Sequence, residues 1–585
     1  MRWLAPLALV LLAAGLRFYR IDVQSLWYDE GISAFQLTRS FGDIVHAASQ
    51  DTHPPLYYWT LKAWGDVFGS SELALRGLSA IWGVVAVALT WLIGKRLFGQ
   101  LEATIAALLL AVAPLAVYYS QEVRMYGQVT ALGLLAVYGY TRRWYWLYAV
   151  AGIATLYSQY LGAALLAAPN IHALLYMRSR DEWLRWLVAN ALVILAFLPW
   201  LPTFIAQQTH ALNTRPRSAG GLVADTLGAY GGGIAHSDLL LWTGAVLVIL
   251  AVLGYALSRS REATLALLLW LLPLGLVVWL GLRSGLFEVR YLVVGMAGLA
   301  LLAANGIVHL TRQPVLATAV AGMLVVPAAL GLRQQYFDPA LARDDYRGLV
   351  HTISDNAHAT DAVILSAPNQ SEVFTYYYRG SLPLIGLPAQ RPIDAADTRQ
   401  RLDEIKHQYD RVWLVDWAMN EADPRGVISG WLAENGFKAT HTWYGSVQLS
   451  LVGFDSDTAA TEQLNVPLDN GIVLEGYRLP SRSLKAGETI ALTLVWRAPE
   501  GATATPWKVF THLLDDGPSV VAQRDAEPAD NLRPTTSWKM GERIEDNYGI
   551  LVPDDLPAGD YTLEIGMYNG EHRATFSGKG DHLVL

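Results

Sequence analysis

Hydrophobic positions along the 585-residue chain fall into two regimes that meet near residue 333. Up to that point the chain repeats apolar windows long enough to cross a hydrocarbon core of ~30 Å, which takes about 20 residues in a helix. Eleven such windows lie near 3–19, 76–94, 101–119, 125–141, 144–160, 161–177, 184–205, 239–257, 263–282, 290–309 and 314–333. The fifth and sixth are joined by a very short connection around Ser158 and Gln159. The first follows Arg2 and has the length of a signal peptide, yet no small-residue cleavage site follows Leu16. Arg17, Phe18, Tyr19 and Arg20 read instead as the interfacial anchor of an uncleaved helix.

Beyond residue 333 the pattern shortens and alternates. Helical periodicity at 344–357, 371–378, 397–408 and 425–436 is interleaved with the apolar runs DAVILS (361–366) and RVWLVDW (411–417), which suit strands buried on both faces. From about 461 the strict alternation of TIALTLVWRA (489–498), WKVFTHLL (507–514), VVAQRD (520–525) and YTLEIGMYN (561–569), cut by turns such as PAGD (557–560), predicts strands alone. The expected architecture is a polytopic α-helical membrane domain of about eleven spans over 1–333, an α/β domain over 334–460 and an antiparallel β-sandwich over 461–585. Trp496 and Trp507 fall in strands and read as core, which leaves Trp538, in a loop, as the tryptophan suited to glycan contact.

Charge separates the same two halves. Residues 1–333 hold 22 Lys or Arg against 15 Asp or Glu, net +7, whereas residues 334–585 hold 21 against 36, net −15. Basic residues occur as short pairs between spans rather than as a stripe, which argues against a nucleic-acid partner. Lys95 and Arg96, Arg142 and Arg143, Arg178, Arg180 and Arg185, Arg259 and Arg261, and Arg312 occupy alternate loops and belong on the cytoplasmic side. Arg215 and Arg217, in the loop 206–238, are the exception. With an odd number of spans, the first loop (20–75) and the whole C-terminal half are expected on the outer face of the plasma membrane. Cysteine is absent, so no disulfide supports the second half. No GxGxxG or GxxxxGK[ST] follows any of its strands, and a nucleotide site has no support.

Chemistry concentrates in the first loop. LWYDEG (26–31) and DTHPPLYYW (51–59) bring Asp29, Glu30, Asp51, His53 and Lys62 together with eight aromatic side chains between Trp27 and Trp64. The segment from Ile32 to Ala48 has helical spacing and reads as short helices on the membrane surface that roof a cavity. Two further loops on the same side carry Gln121, Glu122, Arg124 and Tyr126 in SQEVRMYG (120–127), and Glu288, Arg290 and Tyr291 in FEVRY (287–291). Ionisable residues at span ends are costly unless they line a wet cavity or pair with one another, so each is a functional candidate.

Taken in order, LWYDEG, HPPLYY (53–58), ELALRGLSAIWG (72–83) and YYSQEVRMYG (118–127) resemble the motifs of bacterial polytopic glycosyltransferases of the C superfamily. Within it the likeness is to the group of protein O-mannosyltransferases and lipid A aminoarabinose transferases, and it extends to about residue 310. The resemblance implies a sugar donor carried on polyprenyl phosphate, an outer-face site under the first loop, and inversion at the anomeric carbon. Such a reaction needs a base for the acceptor hydroxyl and donors around the departing phosphate. Asp29 is the expected base. Glu30 projects ~100° away on a helix and is expected to bind acceptor, order a cation or cap the helix. His53, Arg124, Arg290, Tyr126 and Lys62 are assigned to the donor phosphate, with Glu122, Tyr57, Tyr58 and Tyr291 around the acceptor or behind these groups.

Other roles suit the same residues. Asp29 and Glu30 would cap a surface helix, His53 would stack among Tyr57 and Tyr58, and Arg124 would pair with Glu122. Lys62 and Arg290 would reach toward solvent or headgroups. No cofactor is required by this chemistry, although a divalent metal at His53 is compatible with it. The acceptor is a glycan, lipid or protein hydroxyl. Two other functions fit such a chain: a lipid-linked sugar flippase or other transporter, and a membrane anchor for a glycan-binding module. No internal repeat of span patterns supports a transporter.

Overall fold

Apolar windows become helices because lipid offers no partner for backbone N–H and C=O groups. The computed structural model describes residues 4–208, 216–455, 459–501, 505–570 and 572–585, so Arg2 and Arg215 lie outside the described residues. The chain forms two compact units, Met1–Arg343 and Asp344–Leu585.

In the first unit, α1 (Leu4–Phe18) leads into a loop containing α2 (Tyr28–Phe35), α3 (Phe41–Gln50) and α4 (Leu56–Phe68). The bundle continues through α5 (Glu72–Leu97), α6 (Gln100–Val112), α7 (Pro114–Tyr118), α8 (Tyr126–Thr141), α9 (Tyr145–Ser158), α10 (Gly162–Tyr176) and α11 (Arg180–Phe197). It is completed by α12 (Leu201–Gln208), α13 (Ala219–Gly232), α14 (Asp238–Ser258), α15 (Arg261–Ser284), α16 (Met296–Thr311) and α17 (Pro314–Phe337). Among the described residues six segments are long and apolar enough to cross a membrane: Glu72–Leu97, Arg180–Gln207, Asp238–Ser258, Arg261–Ser284, Val289–Thr311 and Pro314–Phe337. The windows at 3–19, 101–119, 125–141, 144–160 and 161–177 hold shorter helices. That at 101–119 is split between α6 and α7 by Pro114, which takes the first position of α7.

Small residues set how closely the helices approach. Gly254 of α14 lies against the Leu302 carbonyl and Gly306 of α16 against the Leu250 carbonyl, so a Cβ at either position would meet backbone. The Asn305 side chain seals this contact by donating to the Gly254 carbonyl at 2.8 Å. Replacing Gly306 with Val is expected to cost about 1–3 kcal/mol by overpacking. Thermal unfolding in detergent checks this: the midpoint should fall clearly below that of Gly275→Ala, where a Cβ meets nothing within 4 Å.

One local expectation changes. Arg17 is not an interfacial anchor: it is 1% exposed. Its guanidinium donates to Ser120 Oγ at 3.2 Å and to the carbonyl of Ala111 at 3.0 Å, so helix–helix bonds replace solvent. The short helices expected between Ile32 and Ala48 are α2 and α3. Ser40 separates them with a capping box, its Oγ accepting from the Asp43 N–H at 3.2 Å while the Asp43 carboxylate accepts from the Ser40 N–H at 3.4 Å.

The second unit begins later than the expected boundary at residue 333, because α17 runs on to Phe337 and the segment to Arg343 packs with the first unit. Its N-terminal part holds a mixed sheet of β1 (Asp361–Leu365), β2 (Leu384–Gly386), β3 (Arg411–Asp416), β4 (Phe437–Tyr444) and β5 (Val447–Gly453) in the order β2-β1-β3-β5-β4. Strands β1, β2 and β3 run parallel, and β4 and β5 form an antiparallel hairpin. Helices α18 (Tyr346–Asn356), α19 (Ser371–Tyr377), α20 (Ala395–Gln408), α21 (Met419–Ala422) and α22 (Val427–Asn435) accompany it.

Two antiparallel sheets follow. One contains β6 (Glu462–Pro467), β7 (Val473–Arg478), β8 (Thr489–Arg497) and β11 (Arg543–Leu551); the other contains β9 (Lys508–Leu514), β10 (Val520–Ala526), β12 (Thr562–Asn569), β13 (His572–Arg573) and β14 (Leu583–Val584). Leu492, Leu494 and Trp496 of β8 share one core with Val509 of β9 and Ile565 of β12. The two parts of this unit are pinned together by Arg411, which bonds Asp361 through two nitrogens at 2.9 and 2.8 Å and donates to the Gly487 carbonyl at 2.6 Å. Trp538 is not a surface platform for glycan: it is 8% exposed, and its indole N–H donates to the Arg533 carbonyl at 3.0 Å.

Candidate active site

Asp29 and Glu30 lie in the first turn of α2 and, about 100° apart, meet different surroundings. Asp29 accepts from Arg290 at 2.6 Å and lies 4.0 Å from Arg124 Nε. Arg124 in turn donates to His53 Nε2 at 2.9 Å. The three loops singled out in the sequence therefore meet at one carboxylate, whose side chain keeps 16% exposure while Arg124 keeps 7%.

Glu30 is fully enclosed. Arg76 Nε donates to its Oε1 at 2.8 Å and Arg76 NH2 to its Oε2 at 2.5 Å. The Val123 N–H adds a bond to Oε1 at 2.9 Å, and Arg343 lies 3.5 Å from Oε2. With both oxygens engaged, Glu30 is a structural anchor that orders two guanidinium cations and leaves no free oxygen for an acceptor. Through Val123 it also fixes the loop that presents Arg124. Neither carboxylate caps α2.

Electrostatics sorts the groups. Burial works to raise the Asp29 pKa, but Arg124 and Arg290, with the hydrogen bond from Arg290, outweigh it and hold the carboxyl below its ordinary value. Glu30 is likewise held down by Arg76 and Arg343 against the effect of burial. Burial raises Glu122, 1% exposed, to about 7, with Arg343 opposing. Burial and then Arg124 push His53 down to about 4. It is neutral at physiological pH. Since arginine only donates, Nε2 accepts and the ring proton sits on Nδ1.

Among the described residues three buried polar atoms of this cluster have no hydrogen-bond partner: Arg124 Nε, Arg290 Nε and Glu122 Oε2. Glu122 is not the side-chain partner of Arg124, which turns toward Asp29 and His53.

Tyr57 and Tyr58 are buried supports rather than open contacts. The Tyr57 hydroxyl meets Ser79 Oγ at 3.3 Å, Ser79 donates to the Arg124 carbonyl at 3.2 Å, and Tyr58 donates to Asp51 at 3.3 Å. Tyr126 is 1% exposed and packs edge-on to Tyr119 at 5.7 Å. The Arg290 guanidinium lies 6.0 Å from the Tyr291 ring centroid. Lys62 does not join the cluster: it bonds Asp66 at 3.1 Å, four residues along α4, and the Leu37 carbonyl at 3.2 Å. This local pairing satisfies its charge. Among the described residues no group of three or more His, Cys, Asp or Glu is arranged to hold a metal ion.

Sequence reasoning assigned no role to Arg76 or Arg343. A signal existed for Arg76, an ionisable residue at the mouth of an apolar run within ELALRGLSAIWG. Arg343 stands in a polar connection with no such mark.

Known proteins resemble the chain in one segment of sequence and in fold. Residues 52–204 match the family model described as dolichyl-phosphate-mannose-protein mannosyltransferase. No curated protein sequence matches the chain. The structure of ArnT from Cupriavidus metallidurans in the apo state superposes with a TM-score of 0.53 at 14% identity, covering 76% of this chain and 97% of that one. ArnT from the same organism bound to undecaprenyl phosphate gives 0.52 at 14% identity, covering 78% and 99%. The apo oligosaccharyltransferase of Archaeoglobus fulgidus gives 0.51 at 11% identity, covering 98% and 97%. In its motifs, in the matched segment and in its fold, the chain resembles the polytopic glycosyltransferases of the C superfamily, in the group of protein O-mannosyltransferases and aminoarabinose transferases.

Proposed function

We propose that this protein is an integral membrane glycosyltransferase that moves a sugar from a polyprenyl-phosphate donor to an acceptor hydroxyl on the outer face of the plasma membrane, with inversion at the anomeric carbon. The observation that carries the reading is one partly accessible carboxylate, Asp29, set between two guanidinium groups that each keep a buried nitrogen unpartnered. An anion held by those groups satisfies them, and a lipid phosphate fits their charge. The binding of undecaprenyl phosphate by ArnT, which shares the fold, supports the same choice of donor.

In the proposed reaction the acceptor oxygen attacks the anomeric carbon, its proton passes to Asp29, and the bond between that carbon and the phosphate oxygen breaks. The electron pair leaves on polyprenyl phosphate, whose growing charge Arg124 and Arg290 stabilise. His53 offers its Nδ1 proton as a further neutral donor. In the free site the two arginines make Asp29 a weak base. A bound phosphate competes for them, and its own negative charge raises the Asp29 pKa, so donor binding strengthens the base. The two guanidinium groups supply positive charge at the leaving oxygen, so no cofactor is required in this scheme. The eleven-span topology and the outer-face location of residues 334–585 belong to the same proposal.

The test is incubation of purified protein with a labelled polyprenyl-phosphate sugar and cell-envelope acceptors, following release of the lipid phosphate and transfer of label. Transfer to no acceptor, with the donor bound but unconsumed, would favour a transporter and sink the enzyme reading. Arg290→Ala is expected to slow transfer by about 10²–10³-fold, as removal of a leaving-charge donor does. The pH profile gives a separate check. Asp29 is held below its ordinary value, so the acid limb of kcat/KM lies below the usual carboxylate range. Arg124→Ala removes a lowering charge and must shift that limb upward. A limb that stays in place excludes Asp29 as the titrating group.

A further inference from the structure

Arg343 closes the first unit, and the second begins at the next residue, Asp344. Although it lies beyond the last long helix, its side chain is only 8% exposed. Four stretches of the first unit meet on it. Nε donates to the Tyr118 hydroxyl at 3.3 Å, and NH1 donates to the Gln121 carbonyl at 3.1 Å. The same NH1 lies 3.5 Å from Glu30 Oε2, and the backbone N–H donates to Gln24 Oε1 at 3.1 Å. The guanidinium also stands 4.7 Å from the centroid of the Tyr118 ring.

These contacts bear on the catalytic loop in two ways. Glu30 follows Asp29 in the first turn of α2, so a cation that holds Glu30 also holds the turn from which Asp29 projects. Gln121 begins the loop that presents Arg124, and Arg343 ties its backbone to the same point. Arg76 already supplies a two-pronged partner to Glu30. What Arg343 adds is a connection between Glu30, α7 and the Arg124 loop.

We propose that Arg343 is a positioning residue for transfer: it sets the distance between Asp29 and Arg124 and places the chain connection to the second unit inside the framework of the catalytic loop. This rests on the reading of Asp29 as the base. A displacement of the connection that withdraws Arg343 loosens the site without touching a residue that contacts substrate.

The geometry also provides the means of testing it. Arg20, Gln24, Arg76, Tyr118, Gln121 and Arg343 line a narrow crevice, which removal of the Arg343 side chain would enlarge into the space its guanidinium leaves. In the full-length protein, Arg343→Ala is expected to lower kcat by about 10²-fold, the scale of a small misplacement of reacting groups, with the donor KM within about threefold of wild type. Added methylguanidinium should restore part of the rate, whereas methylammonium, which lacks the planar fork, should not. Arg343→Lys should retain folding but remain slow. Hydrogen exchange of the Val123 amide and of residues 28–31 should rise in both variants, a readout that needs no turnover. Wild-type kcat in Arg343→Ala together with unchanged exchange overturns the proposal, as does equal rescue by methylammonium. Asp29→Asn run alongside reports on the base itself, so failure of that reading shows separately.

Discussion

Asp29→Asn abolishes transfer, with an expected loss of about 10³–10⁴-fold in the single-turnover rate, at the upper end of what a positioned base contributes. The amide keeps the shape of the side chain but cannot take the acceptor proton. It also removes a negative charge from beside the position assigned to the donor phosphate, leaving Arg290, now 2.6 Å from Asp29, free to turn wholly to the phosphate. Donor binding in the variant is therefore expected to tighten while chemistry stops. A binding titration with the labelled donor and a single-turnover measurement on the same preparation separate the two effects. A rate within tenfold of wild type would remove Asp29 from the mechanism. Weaker donor binding would place the phosphate elsewhere.

Arg76→Met is expected to destabilise the first unit by about 3–5 kcal/mol, because it strands a carboxylate that has lost its main partner in a closed interior. Glu30 has no exposure, and the remaining cation, Arg343, lies 3.5 Å away. The arginine also serves the carbonyls of Ile21, Gln24 and Ser25 at 2.8, 2.7 and 2.8 Å, so its loss releases the chain that leads into α2. The double variant Glu30→Gln with Arg76→Met should recover part of the lost stability, since the stranded carboxylate is gone while Arg343 keeps the Tyr118 hydroxyl and the Gln121 carbonyl as partners. The dependence on pH has a definite sign. The Glu30 pKa is depressed in the folded protein, so the pairing contributes fully above the ordinary glutamate value and is lost only as pH falls through the lower, folded one. Thermal unfolding in detergent should show a wild-type midpoint that is flat at neutral pH and declines in acid. An Arg76→Met protein as stable as wild type would show that Glu30 finds another partner or a proton.

The two effects have different physical origins, although the residues are adjacent. Asp29 retains some accessibility and sits between cations that a ligand can share, whereas Glu30 has its oxygens committed to Arg76, Val123 and Arg343. A helix turn of two carboxylates is thus divided into a partly accessible and an enclosed half by the tertiary surroundings alone.

Much of this was legible in the chain. Apolar length determined where helices form, since a backbone in lipid has no other way to satisfy its polar groups, and every predicted window holds a helix. Alternation located β8, β9, β10 and β12, whereas β11 was not singled out from the sequence. The motifs carried Asp29, His53 and Arg124, the cost of an ionisable residue at a span end singled out Arg290, and the fold brings all four to one place. What the tertiary structure alone decided is which charge meets which. Lys62 looked like a phosphate ligand and is satisfied by Asp66 within its own helix, Arg17 looked like a headgroup anchor and bonds carbonyls inside the bundle, and Arg343 carried no signal yet lines the catalytic loop. Periodicity reports the face a residue presents, a local property of the backbone. The partner of a buried charge depends on helix ends brought together from stretches as distant as residues 29 and 290, and only packing brings them within reach.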